Sequence, residues 1–239
     1  MIIGGLLKMT LIDYPGQVAA IVFTKGCNFR CHFCYNPLLV WPDKETDEKK
    51  YEKTYPTVSE DEFFLFLKSR KGKLDGVVIT GGEPTLQTDL AEFIEKVRAL
   101  GYKIKLDTNG TNSVVLKKLL DKKLLDYIAM DLKAPLEKYS QVVSAPVNCQ
   151  EIEKSVKIII TSGLPHEFRT TVVPGLLVLE DFELMGKIIA GADAWYLQKF
   201  KSDTELVDRN LENTVSVSDA KMLEMVALGK KYVKICELR

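Results

Sequence analysis

Apolar, β-rich runs recur along the chain, and between them apolar residues fall at helical spacing. The runs predict strands over Val18–Thr24, Gly76–Thr80, Lys103–Thr108, Tyr127–Leu132, Glu167–Val173 and Ala194–Phe200. The intervening periodicity predicts helices over Glu60–Ser69, Thr88–Leu100, Ser113–Leu120, Ile152–Thr161, Glu180–Ile189 and Ser218–Leu228. The second helix is the clearest. Leu90, Phe93, Ile94, Val97 and Leu100 form one stripe, and Gly101 stops it. Strand and helix alternating in this way call for a parallel sheet with helical crossovers. Six repeats suit a partial (βα)6 TIM-like barrel better than a full eight-unit one. The hydrophilic stretch Pro42–Lys53 reads as a solvated loop or lid.

Each predicted strand ends in residues that a buried strand would not choose. The first runs into Cys27, the second into Gly81-Gly82-Glu83-Pro84, and the third into Asp107-Thr108-Asn109-Gly110. The fourth carries Asp131 and Lys133, the fifth Arg169, and the sixth Gln198 and Lys199. In barrels of parallel strands the loops after the carboxyl ends form the active face, so these clusters are expected at one mouth. Each also has a plainer reading. Gly-Gly-Glu-Pro is turn chemistry, Asp107–Gly110 can lead into a capped helix, and Asp131 with Lys133 can form a structural ion pair. Their placement beside three close cysteines favours chemistry.

Those cysteines are Cys27, Cys31 and Cys34, a C-x3-C-x2-C run. Three thiolates are an incomplete set, because a closed structural metal site has four ligands. Iron–sulfur clusters take cysteines at such short spacings, and three on a four-iron cluster leave one iron open. A Cys₃His zinc site using His32 is the competitor, but adjacent residues rarely aim both side chains at one ion. A redox reading of Cys31 and Cys34 leaves Cys27 without a role. Cys149 and Cys236 read as ordinary buried or surface thiols, and His166 as a residue capping or flanking a strand.

Composition narrows the classes. The chain has 239 residues, 46% hydrophobic, enough for one substantial core and a single domain over 1–239. Lys plus Arg equals Asp plus Glu at 33 each, so no global field recruits nucleic acid or an anionic membrane. No apolar stretch approaches the roughly 18 residues of a membrane span. With five cysteines, no disulfide-framework spacing and no secretory pattern, a reducing cytoplasm is the expected compartment.

The run Cys27-x3-Cys31-x-Phe33-Cys34, followed by Gly81-Gly82-Glu83-Pro84 after the second strand, resembles the radical S-adenosylmethionine (SAM) superfamily. That resemblance implies a radical SAM fold, a 4Fe–4S cluster on the three cysteines, and SAM chelated to the open iron. Reductive cleavage of the sulfonium then yields a 5′-deoxyadenosyl radical that abstracts hydrogen. Gly81 and Gly82 would let the backbone come close to the methionine amine, and Glu83 would supply negative charge to it. The stretch from Leu11 to Leu39 also looks like the signature of glycyl-radical-enzyme activating proteins, closest to those of anaerobic ribonucleoside-triphosphate reductase. By that similarity Asp107, Thr108 and Asp131 hold a monovalent cation beside the bound carboxylate. Lys133 and Arg169 address the carboxylate or ribose, and Phe33, Tyr35 and Asn36 line the adenine site.

The implied partner is a large glycyl radical enzyme, with flavodoxin or ferredoxin as electron donor. The chain is nearer in length to pyruvate formate-lyase activases than to minimal reductase activases, and has no cysteine between Cys34 and Cys149. The alternatives are a pyruvate formate-lyase-like partner, a radical SAM reaction on a small molecule, peptide or RNA, or a non-enzymatic metal module.

Overall fold

The structure, a computed structural model, describes residues 1–41 and 57–239. The hydrophilic stretch Pro42–Lys53 therefore lies outside the described residues. In chain order the elements are β1 (Ile3–Thr10), β2 (Ala19–Thr24), α1 (Pro37–Val40), α2 (Glu60–Ser69), β3 (Gly76–Gly81), α3 (Leu90–Ala99) and β4 (Lys103–Thr108). There follow α4 (Ser113–Asp121), β5 (Tyr127–Asp131), α5 (Tyr139–Val142), α6 (Cys149–Thr161) and β6 (His166–Val172). The chain ends with α7 (Leu179–Ile188), β7 (Ala194–Lys199), α8 (Asp219–Gly229) and β8 (Ile235–Leu238). All six expected strands and all six expected helices are present.

Two strands go beyond the expectation. The sequence of β1, IGGLLKMT, carries two glycines and a lysine and has no strand pattern of its own. Antiparallel pairing with β2, with Leu7 opposite Ile21, makes it a strand. The four-residue β8 is held by parallel pairing to β7, with Cys236 opposite Trp195. Helix α6 starts at Cys149 rather than Ile152, because the Asn148 side chain accepts a hydrogen bond from Gln150 N and caps it.

The chain divides into two compact units: Met1–Asn28, Leu38–Thr108 and Val114–Ile128 in the first, and Phe29–Pro37, Asn109–Ser113 and Ala129–Arg239 in the second. In the first unit, β2 runs parallel to β3 from Ala19 opposite Gly76 to Thr24 opposite Gly81, and β3 runs parallel to β4. Ala19–Val22 and Val77–Ile79 are almost wholly buried, as strands covered on both faces must be. Helix α2 begins where the Ser59 side chain accepts from Glu62 N, and it buries Phe63 and Leu67. Helix α3 buries the predicted stripe of Leu90, Phe93, Ile94 and Val97. The rings of Phe63 and Phe93 stack at 5.3 Å, and each such side chain contributes roughly 1.5–3 kcal/mol by burial.

In the second unit β6, β7 and β8 are parallel, with Glu167 opposite Ala194 and Val172 opposite Lys199. Trp195 stacks on Phe182 of α7 at 5.7 Å. Its Nε1 donates to Thr170 Oγ1 at 2.9 Å, and that hydroxyl donates to Leu132 O at 2.7 Å. Leu132 N donates in turn to Arg169 O. The end of β5 at Asp131 and the segment after it, which carries Lys133, are thereby locked onto β6 through partnered buried groups. No helix among the described residues is long and apolar enough to cross a membrane.

Candidate active site

In the first unit the register of β2 against β3 sets Thr24 beside Gly81, so the root of the cysteine loop lies against the Gly-Gly-Glu turn. Gly82 N donates to Thr24 O and Glu83 N to Gly26 O, 2.8 Å each. The glycines are required by space. Gly81 has φ +116°, in the region that favours glycine, and a Cβ on Gly82 would fall 2.1 Å from Gly26 O. Gly26 N and Cys27 N donate to Leu39 O and Val40 O at 2.8 Å, tying the two ends of the cysteine loop together.

Glu83 is only 1% exposed. Its Oε1 accepts from Thr85 N (3.0 Å), Thr85 Oγ1 (2.6 Å) and Thr108 Oγ1 (2.7 Å). One carboxylate oxygen thus organises both its own turn and the end of β4, and charge-assisted bonds of this kind are the stronger ones. Asp107 pairs with Lys105, Nζ to Oδ1 at 2.9 Å, both side chains buried. The pattern of polar strand ends singles out neither Thr85 nor Lys105. Lys105 was findable, since it stands two residues before Asp107 on a strand and so shares its face.

In the second unit a backbone turn joins Cys31 and Cys34: Cys34 N donates to Cys31 O at 3.0 Å. Three further backbone bonds hold it, from Arg30 N to Val143 O, Val207 N to Cys34 O and Asp208 N to His32 O. Burial pushes the Cys34 thiol up, opposed by a hydrogen bond from the Asn36 amide and by the charge of Lys133. Amide donors and a nearby ammonium are what a sulfur needs when it becomes a thiolate ligand. Phe33 is buried with the Lys133 ammonium 6.0 Å above its ring, whereas Tyr35 is 57% exposed.

Asp131 accepts from Arg169 Nε at 2.8 Å and from Lys133 Nζ at 3.0 Å. Burial alone would raise its pKa, but Arg169 and then Lys133 outweigh it and hold the carboxyl well below the usual range. Lys133 is likewise held above the usual lysine range: burial opposes its charge, and Asp131 followed by Cys31 overcomes that. Tyr139 closes the cluster from below, donating its hydroxyl to Asp131 O and accepting from Lys133 N, 3.3 Å each. The remaining candidates behave as the plainer reading expects. His166 opens β6 with Nδ1 2.8 Å from Leu164 O, Cys149 Sγ lies 3.4 Å from Leu136 O, and Cys236 is buried in β8.

The sequence of this chain matches the Radical SAM superfamily over residues 21–185. The chain belongs to the radical SAM superfamily. Over 237 residues it is 31% identical to a protein of Methanocaldococcus jannaschii named provisionally as a glycyl-radical enzyme activating enzyme, covering 97% of this chain and 93% of that one. It is 30% identical over 171 residues to the pyruvate formate-lyase-activating enzyme of Streptococcus mutans, covering 69% and 62%. Among solved structures it resembles Streptococcus suis SuiB bound to S-adenosylmethionine, with TM-score 0.62 at 13% identity, covering 92% of this chain and 51% of that one. That likeness shows the fold, the parallel α/β radical SAM type expected from the alternation of strands and helices.

A radical SAM enzyme uses a 4Fe–4S cluster and S-adenosylmethionine, and these are the cofactors of this one. The donor set fits a cluster: three thiols within eight residues, a backbone turn between two of them, and an amide on the sulfur of Cys34. As they stand, no three His, Cys, Asp or Glu groups among the described residues are gathered to hold a metal ion. The joint assignment of Cys27, Cys31 and Cys34 therefore rests on spacing and family.

Proposed function

We propose that this radical SAM enzyme, working as one domain over 1–239, activates a glycyl radical enzyme by abstracting hydrogen from a backbone glycine of that large partner. The observation that carries the reading is the end-to-end match to the M. jannaschii relative, 97% of this chain against 93% of that one, in a protein whose name states that activity. Cys27, Cys31 and Cys34 would hold the cluster, with S-adenosylmethionine bound beside it. When bound, the pair supplies a carbon-centred radical.

The chain's own residues bind and orient. Gly81 and Gly82 let the backbone come close to the methionine amine, while the Glu83 carboxylate, turned inward onto Thr85 and Thr108, holds the turn in place. Lys133 and Arg169 offer cationic donors to a carboxylate or ribose, with Asp131 fixing their positions. Exposed Tyr35, with Phe33 and Asn36, supplies an adenine contact.

Anaerobic ribonucleoside-triphosphate reductase is the preferred partner, and flavodoxin or ferredoxin the electron source. A pyruvate formate-lyase-like partner is the second reading, favoured by the 30% identity to the S. mutans activase. Anaerobic reconstitution followed by reduction with S-adenosylmethionine should yield 5′-deoxyadenosine. Mixing with each candidate partner should then produce a doublet glycyl-radical spin signal on one of them. Deoxyadenosine without any such signal on either partner would refute the activase reading while leaving radical chemistry intact.

A further inference from the structure

Strand β4 carries a buried ion pair whose position matters more than its stability. Lys105 and Asp107 lie Nζ to Oδ1 at 2.9 Å, with side chains 1% and 9% exposed. The ammonium sits 5.7 Å from the centre of the Tyr127 ring. Burying a lysine is costly unless its charge is compensated, and an apolar side chain of the same volume would fill the space without that cost. The lysine therefore answers a need for charge at this point of the strand.

The expected source of that charge is a monovalent metal ion held by Asp107, Thr108 and Asp131. The residues present do not fit it. Asp107 Oδ1 faces the Lys105 ammonium. The Thr108 hydroxyl donates its proton to Glu83 Oε1, which leaves its lone pairs free, so the misfit lies in the two carboxylates. Asp131 faces two cations of its own, Lys133 and Arg169. Each carboxylate is already balanced by a side chain, and a metal ion would meet positive charge at each.

We propose that Lys105 is a tethered, built-in cation that takes the place of a monovalent metal ion, balancing the Asp107 carboxylate and fixing it at the end of β4. A compact ammonium is a point charge comparable to a potassium ion, and its covalent stem places it without recruitment from solvent. Lys105 is a positioning residue: it acts through Asp107. Its effect on turnover rests on the reading that Asp107 serves the S-adenosylmethionine site, but its effect on the ion requirement of the fold does not.

The test compares wild type with Lys105→Met in buffers at about 0.1 M whose cation is tetramethylammonium, sodium or potassium. For reconstituted wild type, S-adenosylmethionine affinity and deoxyadenosine formation should vary by less than about twofold among the three salts; a rise of about tenfold in sodium or potassium overturns the proposal. The metal-free Lys105→Met protein should melt lower in tetramethylammonium and recover selectively in sodium or potassium, which can enter where the ammonium was. A melting temperature indifferent to the cation overturns it. Should the variant fail to fold, Lys105→Met/Asp107→Asn removes both charges and should fold with no preference among the salts. A double variant that still prefers sodium or potassium also overturns the proposal, since the preference would then not belong to Asp107. If melting behaves as expected but turnover does not, the placement of Asp107 near S-adenosylmethionine is what fails.

Discussion

Replacing Asp131 with Asn removes one charge from the Asp131–Lys133–Arg169 cluster without changing its shape. The amide keeps one acceptor for Arg169 Nε, now 2.8 Å from Oδ1, but turns its NH₂ toward the Lys133 ammonium, now 3.0 Å from Oδ2. The side chains involved are only 15–26% exposed, so two cations are left facing each other with little water. Breaking a fully buried pair costs about 3–5 kcal/mol; discounting for the residual solvent here leaves about 2–3 kcal/mol. With a urea m-value of about 3 kcal/mol/M for a chain of this size, the midpoint of metal-free protein should fall by about 1 M at unchanged slope.

The sign of the pH dependence follows from the depressed carboxyl. Its contribution is fully present above the unfolded-state value of 3.8 and is lost as pH falls through that value towards the lower folded one. Urea titrations of both proteins should therefore differ most at neutral pH and converge below about pH 3.8. A midpoint shift under about 0.3 M at neutral pH, or a deficit that persists undiminished in acid, would show that the cluster is not held by the Asp131 charge.

Two further substitutions test the Gly-Gly-Glu turn. Gly82→Ala drives a Cβ into Gly26 O at 2.1 Å and Leu39 O at 2.8 Å, backbone atoms that cannot step aside. It should cost more than about 3 kcal/mol in a thermal melt, and near-wild-type stability would mean the turn is looser than described. Thr108→Val deletes the donor 2.7 Å from Glu83 Oε1 while Thr85 still supplies two. A loss of about 1–2 kcal/mol is expected in the same measurement, and no loss would mean Glu83 does not depend on β4.

Much of this was legible because the residues obey rules that act locally. Ser59 before three acidic residues, and a stripe closed by Gly101, declare α2 and α3 without reference to the rest of the chain. β1 could not be read in this way, since Gly4, Gly5 and Lys8 erase its alternation and only pairing with β2 supplies it. The candidate residues were legible as strand ends, but their partners were not. Nothing in Gly-Gly-Glu says that the carboxylate turns inward onto Thr108, 25 residues away. Lys105 is legible in its face, two residues before Asp107, but not in its burial: a lysine within a strand reads as solvent-facing, whereas here both strand faces are covered.

The two amide bonds from Gly26 and Cys27 back to Leu39 and Val40 have a consequence for how the cysteine loop can evolve. The chain returns to its own point of departure, so backbone hydrogen bonds share in closing the loop whatever its interior residues bind. Because closure entropy grows only with the logarithm of length, doubling such a loop would cost about 0.6 kcal/mol. The surroundings of the cluster are thus free to drift in length and composition while the sheet beneath stays unchanged.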